Sequence, residues 1–125
     1  MSPRPVLATV VLDCADAHAL ADFYRGLLGW DVRDSEPDWV LIEAPGGEGV
    51  RLALQGEEGY VPPVWPEAPG AQQKMLHLDI RVDDLAEGVR HAVALGAREA
   101  AHQPQGDVRV LFDPAGHPFC LFVDA

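Results

Sequence analysis

The chain repeats itself. Displaced by 67 positions, Leu28-Gly29 falls on Leu95-Gly96, Gly49 on Gly116 and Leu54 on Leu121, without a gap. A period this long marks a duplicated supersecondary unit, one copy of which cannot cover its own apolar sheet face. The fold is thereby restricted to two similar halves that are expected to pair.

In the first half, residues 6–13 (VLATVVLD) are β-branched and apolar and read as a strand. Asp16 stands at an N-cap position. Leu20, Phe23, Tyr24, Leu27 and Leu28 then share one helical stripe, which Gly29 closes. WDVRD, WVLIEA and GVRLALQ follow as three strand-like pieces, with EAPGGEG as the turn between the last two. Residues 56–74 hold four prolines and three glycines in 19 positions, the composition of a connecting loop. The order then begins again. LHLDIRV reads as a strand, Asp84 as a cap, and Leu85, Val89, Ala92 and Val93 as a helix face that Gly96 stops. VRVLF and PFCLFV are strands around the turn DPAGH. Each half is therefore a βαβββ unit in an α+β fold, with unit one at 5–56, a connecting loop at 57–74 and unit two at 75–125.

The first strands need a different displacement. At 67, Asp13 would fall on Ile80 and put a carboxylate on the helix-covered face. At 68, Leu12 falls on Ile80 and Asp13 on Arg81, and the two N-caps Asp16 and Asp84 coincide. The second value is preferred.

Composition narrows the function. With 48% hydrophobic and 23% charged residues, the 125-residue chain is that of a globular protein. No apolar run reaches the roughly 20 residues a membrane span needs. The N-terminus lacks a basic region followed by an apolar core, and Cys14 and Cys120 are too few for a disulfide framework. A reducing cytoplasm is the expected location. The formal charge of −11 includes only nine basic residues, with Lys74 the sole lysine, so no basic stripe exists for nucleic acid. Such acidity reads first as a device for solubility, and the alternative is steering of a cationic small ligand.

Three stretches carry a family resemblance: DCADAHALADFYRGLLGW, LHLDIRVDDL and DPAGHPFCLF. They are similar to the cap-helix, first-strand and closing-hairpin segments of the vicinal-oxygen-chelate superfamily, which includes glyoxalase I, bleomycin-resistance proteins and extradiol dioxygenases. The resemblance covers nearly the whole chain and implies that the two units pair into a curved eight-stranded sheet around a cavity. It also implies up to four inward metal ligands, one from the first and one from the last strand of each unit. Pairing of chains into a homodimer is a further implication.

Period-2 alternation decides which side chains face that cavity. Leu78, Ile80 and Val82 are expected to pack under the helix, leaving His77, Asp79 and Arg81 inward. Thr9, Val11 and Asp13 share that face in unit one, with Arg51, Ala53 and Gln55 from its last strand and Cys120 and Phe122 from the last strand of unit two. The four metal positions that the resemblance implies fall on Thr9, Ala53, His77 and Cys120. Thr9 is a poor ligand and Ala53 has no donor, whereas catalytic zinc takes about three protein ligands. Gln55 and Asp79 could add to the set, but their spacing does not single them out. The expectation is no metal and no cofactor. His117, between DPAG and Pro118, reads as a turn residue, and Cys120 as a small buried hydrophobe. His18, His91 and His102 read as surface positions.

His77 is the one cavity-facing histidine: either a structural residue hydrogen-bonded across the sheet to Asp79 or Asp13, or a ligand hydrogen-bonder and the candidate general acid/base. Asp13, Arg51, Gln55, Asp79, Arg81, Cys120 and Phe122 are expected to contact a ligand, as is Trp65 from the proline-rich connection, which reads as a lid or a dimer contact. The expected function is metal-independent binding of a small molecule, aromatic or cationic, as in glyoxalase-like and bleomycin-resistance proteins. A metal-free lyase or isomerase using His77, a structural or regulatory subunit, and a divalent-metal-dependent glyoxalase or dioxygenase are the alternatives.

Overall fold

The first helix illustrates how this sequence makes its elements. In the computed structural model, which describes residues 4–124, helix α1 runs Ala17–Leu28. The Asp16 side chain accepts from the backbone N–H groups of His18 and Ala19, both at 3.1 Å, satisfying donors that a helix start leaves open. Gly29 ends it in the left-handed region, at φ 70°, and donates its N–H to the Arg25 carbonyl at 2.8 Å. Between the caps, Leu20, Phe23 and Tyr24 are fully buried, and the Phe23 and Tyr24 rings meet edge-on at 4.9 Å. Each such side chain contributes roughly 1.5–3 kcal/mol of burial.

Unit one places α1 against a four-stranded sheet made of β1 (Thr9–Cys14), β2 (Asp31–Glu36), β3 (Trp39–Glu43) and β4 (Arg51–Gly56). The strand order is β1-β4-β3-β2, with the β1–β4 pair parallel and the other pairs antiparallel. Leu12, Val40, Ile42, Leu52 and Leu54 are buried on the helix side. Strand β2 is exposed throughout and bulged between Val32 and Asp34.

Unit two repeats the plan with β5 (Leu78–Arg81), α2 (Leu85–Ala94), β6 (Arg98–Glu99), β7 (Val108–Phe112) and β8 (Pro118–Phe122), ordered β5-β8-β7-β6. Both halves are thus βαβββ units, as the duplication predicts, and each forms its own four-stranded sheet. By compactness the chain divides between Tyr60 and Val61, so most of the proline-rich connection travels with unit two.

The strand registers resolve the choice of displacement. Leu12 lies opposite Leu54, and Ile80 lies opposite Leu121. Since Leu54 and Leu121 are equivalent at 67, Leu12 and Ile80 are equivalent at 68, as the burial argument requires.

Two local readings need correction. Val93 is not part of the buried helix face; it is 47% exposed, while Ala92 is fully buried. At 100° per residue Val93 sits about 80° from Leu85 around the axis, at the margin of the stripe. Strand β6 escapes sequence reading because two charged residues carry no periodicity.

The closing hairpin of unit two is held by a carboxylate. Asp113, 4% exposed, accepts from the N–H groups of Ala115 (2.9 Å) and His117 (3.0 Å), while its own N–H donates to the His117 carbonyl. Gly116 completes the turn at φ 92°. A Cβ there would lie 2.9 Å from Pro62, so the connection passes directly over the turn. That approach lays Trp65 on the sheet face away from α2, against the cluster of Ala100, Val110 and Phe112, with Cys120 also packed on it.

No helix among the described residues is long and apolar enough to cross a membrane.

Candidate functional site

The chemistry-bearing side chains of unit two converge through its first and last strands. His77 immediately precedes β5 and Asp79 lies two residues on, so both project to the same face. The parallel register then puts Cys120 of β8 directly opposite Asp79. The outcome is a cluster in which one donor atom each from His77, Asp79 and Cys120 lie within 4.8 Å of one another. His77 Nε2 is 3.3 Å from Asp79 Oδ1, close enough for the carboxylate to orient the ring. The Cys120 thiol is pushed up, first by burial and then by the negative charge and hydrogen bond of Asp79, with Lys74 opposing weakly.

A groove runs beside this cluster. One part, of about 230 Å³, lies between Trp65, Lys74, His77, Val110 and Cys120. A second part, of about 350 Å³, is bordered by His77, Asp79, Asp107, Phe122 and Val123. The two share His77, Gln105, Val108 and Cys120. Trp65 also meets the His102 ring, with centroids 5.5 Å apart, which fixes one wall. His102 is exposed, as its sequence position predicts, yet it also supports the tryptophan.

Of the residues expected to contact a ligand, His77, Asp79, Cys120, Phe122 and Trp65 therefore meet at one groove of unit two. Arg81 shares their face by register but is paired with Asp124 at 3.2 Å, both largely exposed. Asp13, Arg51 and Gln55 belong to unit one, where Thr9 is opposite Arg51 and Asp13 opposite Gln55. There Arg51 is engaged: its Nε donates to Glu43 Oε1 at 3.1 Å, and Arg33 Nη1 donates to the same oxygen. Burial opposes ionisation of Glu43, but the hydrogen bonds and charges of the two arginines outweigh it and hold its carboxyl below the usual range. Sequence reasoning missed Lys74, Gln105, Val108, Val110 and Asp107 as groove residues. The alternation of VRVLF could have flagged Val108 and Val110; Lys74, Gln105 and Asp107 lie in loops, where no periodicity applies.

The metal that the resemblance implies can be tested against these residues. In unit one, Ala53 is fully buried and has no donor, and Thr9 is a weak one. The four-ligand set therefore does not fit. Unit two by itself offers imidazole, carboxylate and thiol, which fit a soft divalent cation in number and type.

Comparison with known proteins agrees with the fold. The family model of the glyoxalase-like domain matches residues 9–122. No curated protein matches the chain. Among solved structures, a glyoxalase/bleomycin resistance protein/dioxygenase family enzyme from Burkholderia phytofirmans PsJN superposes with a TM-score of 0.70 at 20% identity, over 94% of this chain and 97% of that one. TnmS3, an antibiotic-binding protein from Streptomyces sp. CB03234, gives 0.63 at 20% identity with 100% of both chains covered. The fosfomycin resistance protein FosX from Listeria monocytogenes gives 0.67 at 12% identity, over 97% of this chain and 91% of that one. At these identities the likeness is one of fold. With a repeated βαβββ plan, its duplicated register and a family match across 9–122, this chain belongs to the glyoxalase-like domain family.

Proposed function

We propose that the protein binds a small molecule in the groove of unit two without needing a metal. The observation that carries this reading is the groove itself: an apolar floor of Val108, Val110 and Cys120, an aromatic wall from Trp65, and His77 as a polar group at the edge. That is the construction of a small-ligand site, in which apolar surface supplies affinity and few polar groups set orientation. Independence from metal is supported by Ala53 and Thr9, which leave the unit-one positions without effective ligands. The antibiotic-binding and fosfomycin-resistance neighbours make drug-like molecules a reasonable ligand class. Where turnover accompanies binding, His77 held by Asp79 is the group placed to move a proton.

The test is titration of the protein with a neutral aromatic such as 4-methylbenzyl alcohol, followed by NMR at the Trp65 indole N–H. The expected result is saturable movement of that signal, reduced in Trp65→Phe controls to the other two indoles. A Trp65 signal that stays put with this alcohol and with charged aromatics of the same shape would remove the reading.

One observation favours a second reading, the His77–Asp79–Cys120 cluster. These residues would hold a divalent ion by themselves, and the chemistry it would supply there is polarisation of a substrate oxygen. Elemental analysis of protein prepared without added metal separates the two. Stoichiometric zinc, nickel or copper that is lost in Cys120→Ser would favour the metalloprotein.

A further inference from the structure

Charge within the groove is unevenly distributed. The chain carries 20 acidic and nine basic residues, and six of the eight arginines are already tied to carboxylates. Lys74, the only lysine, is different: it is half-buried at the groove wall beside Trp65 and enters no ion pair among the described residues. A partly buried ammonium that makes no direct ion pair, in a chain of net charge −11, is poorly explained by solubility or stability. At the other part of the groove stand Asp79 and Asp107. Asp107 likewise enters no ion pair among the described residues, and Asp79 faces His77. Between them the shared wall sets Val108 and Cys120 as its apolar surface, with His77 and Gln105 beside them.

We infer that the groove selects a dipolar ligand: a flat apolar body lying along Val108, an anionic group at Lys74, and a protonated amine at Asp107 and Asp79. This rests on the binding reading above and sharpens it. Acidity of the whole chain would steer a cationic ligand, but Lys74 gives the site a positive end as well. Each charged end can contribute a charge-assisted hydrogen bond, which in a partly desolvated groove is the stronger kind. A ligand with one charge leaves the opposite end of the groove without a partner.

Four probes of one shape test the polarity: 4-(aminomethyl)benzoate, 4-methylbenzoate, 4-methylbenzylamine and 4-methylbenzyl alcohol. Their affinities are measured by the NMR titration at the Trp65 indole, for the intact protein and for Lys74→Gln and Asp107→Asn. The dipolar probe is expected to bind tightest. Lys74→Gln should weaken the two carboxylate probes about tenfold and leave the amine and alcohol unchanged. Asp107→Asn should weaken the two amine probes and spare the other two. Circular dichroism of both variants checks that they fold, and unchanged alcohol binding checks that the groove persists. The polarity is wrong if the intact protein binds the alcohol and the substitutions leave all four affinities unchanged or lower all four equally; the binding reading then stands. If no probe, the alcohol included, moves Trp65 in the intact protein, both inferences fall.

Discussion

Cys120 and Asp79 face each other across the β5–β8 ladder, and the pairing sets the reactivity of the thiol. Burial and the adjacent carboxylate both hold the Cys120 thiol above the usual range, and alkylating agents react with thiolate. Iodoacetamide near neutral pH is therefore expected to modify Cys120 more slowly than glutathione. Asp79→Asn removes one of the two causes and should speed alkylation severalfold, with the adduct placed on Cys120 by peptide mass spectrometry, since Cys14 is 1% exposed. An unchanged rate in that variant would mean that Asp79 does not govern the thiol. Glu43 gives a second expectation at this scale. Its carboxyl is held below the ordinary value by Arg33 and Arg51 against the opposing effect of burial, so its contribution to stability is present above the ordinary carboxylate range. That contribution is lost as pH falls through the lower folded value. Glu43→Gln should consequently make acid unfolding less steep near pH 4, and an unaltered acid limb would refute the linkage. How these residues read in sequence differs. His77 and Asp79 were legible because period-2 alternation puts both on one face. The Asp79–Cys120 contact was not singled out, because it needs the parallel register between first and last strands. For Arg51, alternation predicts the face but not its pairing with Glu43, because the choice of counter-ion is a tertiary matter that spacing does not encode.

The caps and stripes of the elements were the best-read features. Asp16, Gly29 and Asp84 act locally through hydrogen bonds to neighbouring backbone groups, so their roles follow from sequence position. Val93 shows the limit, since whether a marginal stripe residue is covered depends on what lies above it. The connection over the closing hairpin was also beyond sequence reading: proline and glycine announced a loop but not that it folds back on Gly116. That contact yields a prediction. Alanine at Gly116 must adopt φ near 92° and place its Cβ against Pro62. A left-handed L-residue costs about 1–2 kcal/mol before the clash is counted, so Gly116→Ala is expected to destabilise unit two by roughly 1–3 kcal/mol. The clash should also lift the arm, moving Trp65 into water and shifting its emission to the red, as isolated by difference from Trp65→Phe. Gly106 has open space around it and no positive φ, so Gly106→Ala serves as the control expected to change little. A blue-shifted or unmoved emission in a destabilised Gly116→Ala would show that the hairpin does not hold the arm.

The duplication and the charge belong to the molecule as a whole. The duplicated register explains why two sheets of one topology arise from halves whose polar residues differ: apolar positions such as Leu12 and Ile80 are retained for packing, whereas Ala53 and Cys120 at equivalent places carry different chemistry. Fold was therefore legible through the repeated apolar pattern, and function much less so, because the groove side of each sheet is free to diverge. Charge makes the last prediction. A net −11 on 125 residues creates self-repulsion that compact folding concentrates. Salt screens that repulsion but also weakens the ion pairs, so the sign of its effect must be argued. The six arginine pairs have at least one partner substantially exposed, apart from the Arg51–Glu43 contact, and exposed pairs are worth about 0–1 kcal/mol each. Repulsion among the excess carboxylates acts over longer distances and is the larger effect at low salt, where the Debye length is about 30 Å at ~0.01 M against ~10 Å at ~0.1 M. Raising sodium chloride between those two concentrations is thus expected to raise the thermal midpoint followed by circular dichroism. Potassium chloride should act alike, because screening depends on ionic strength and not on the cation. A midpoint that falls with both salts would mean that the arginine–carboxylate pairs, and not the net charge, dominate the electrostatics of the folded chain.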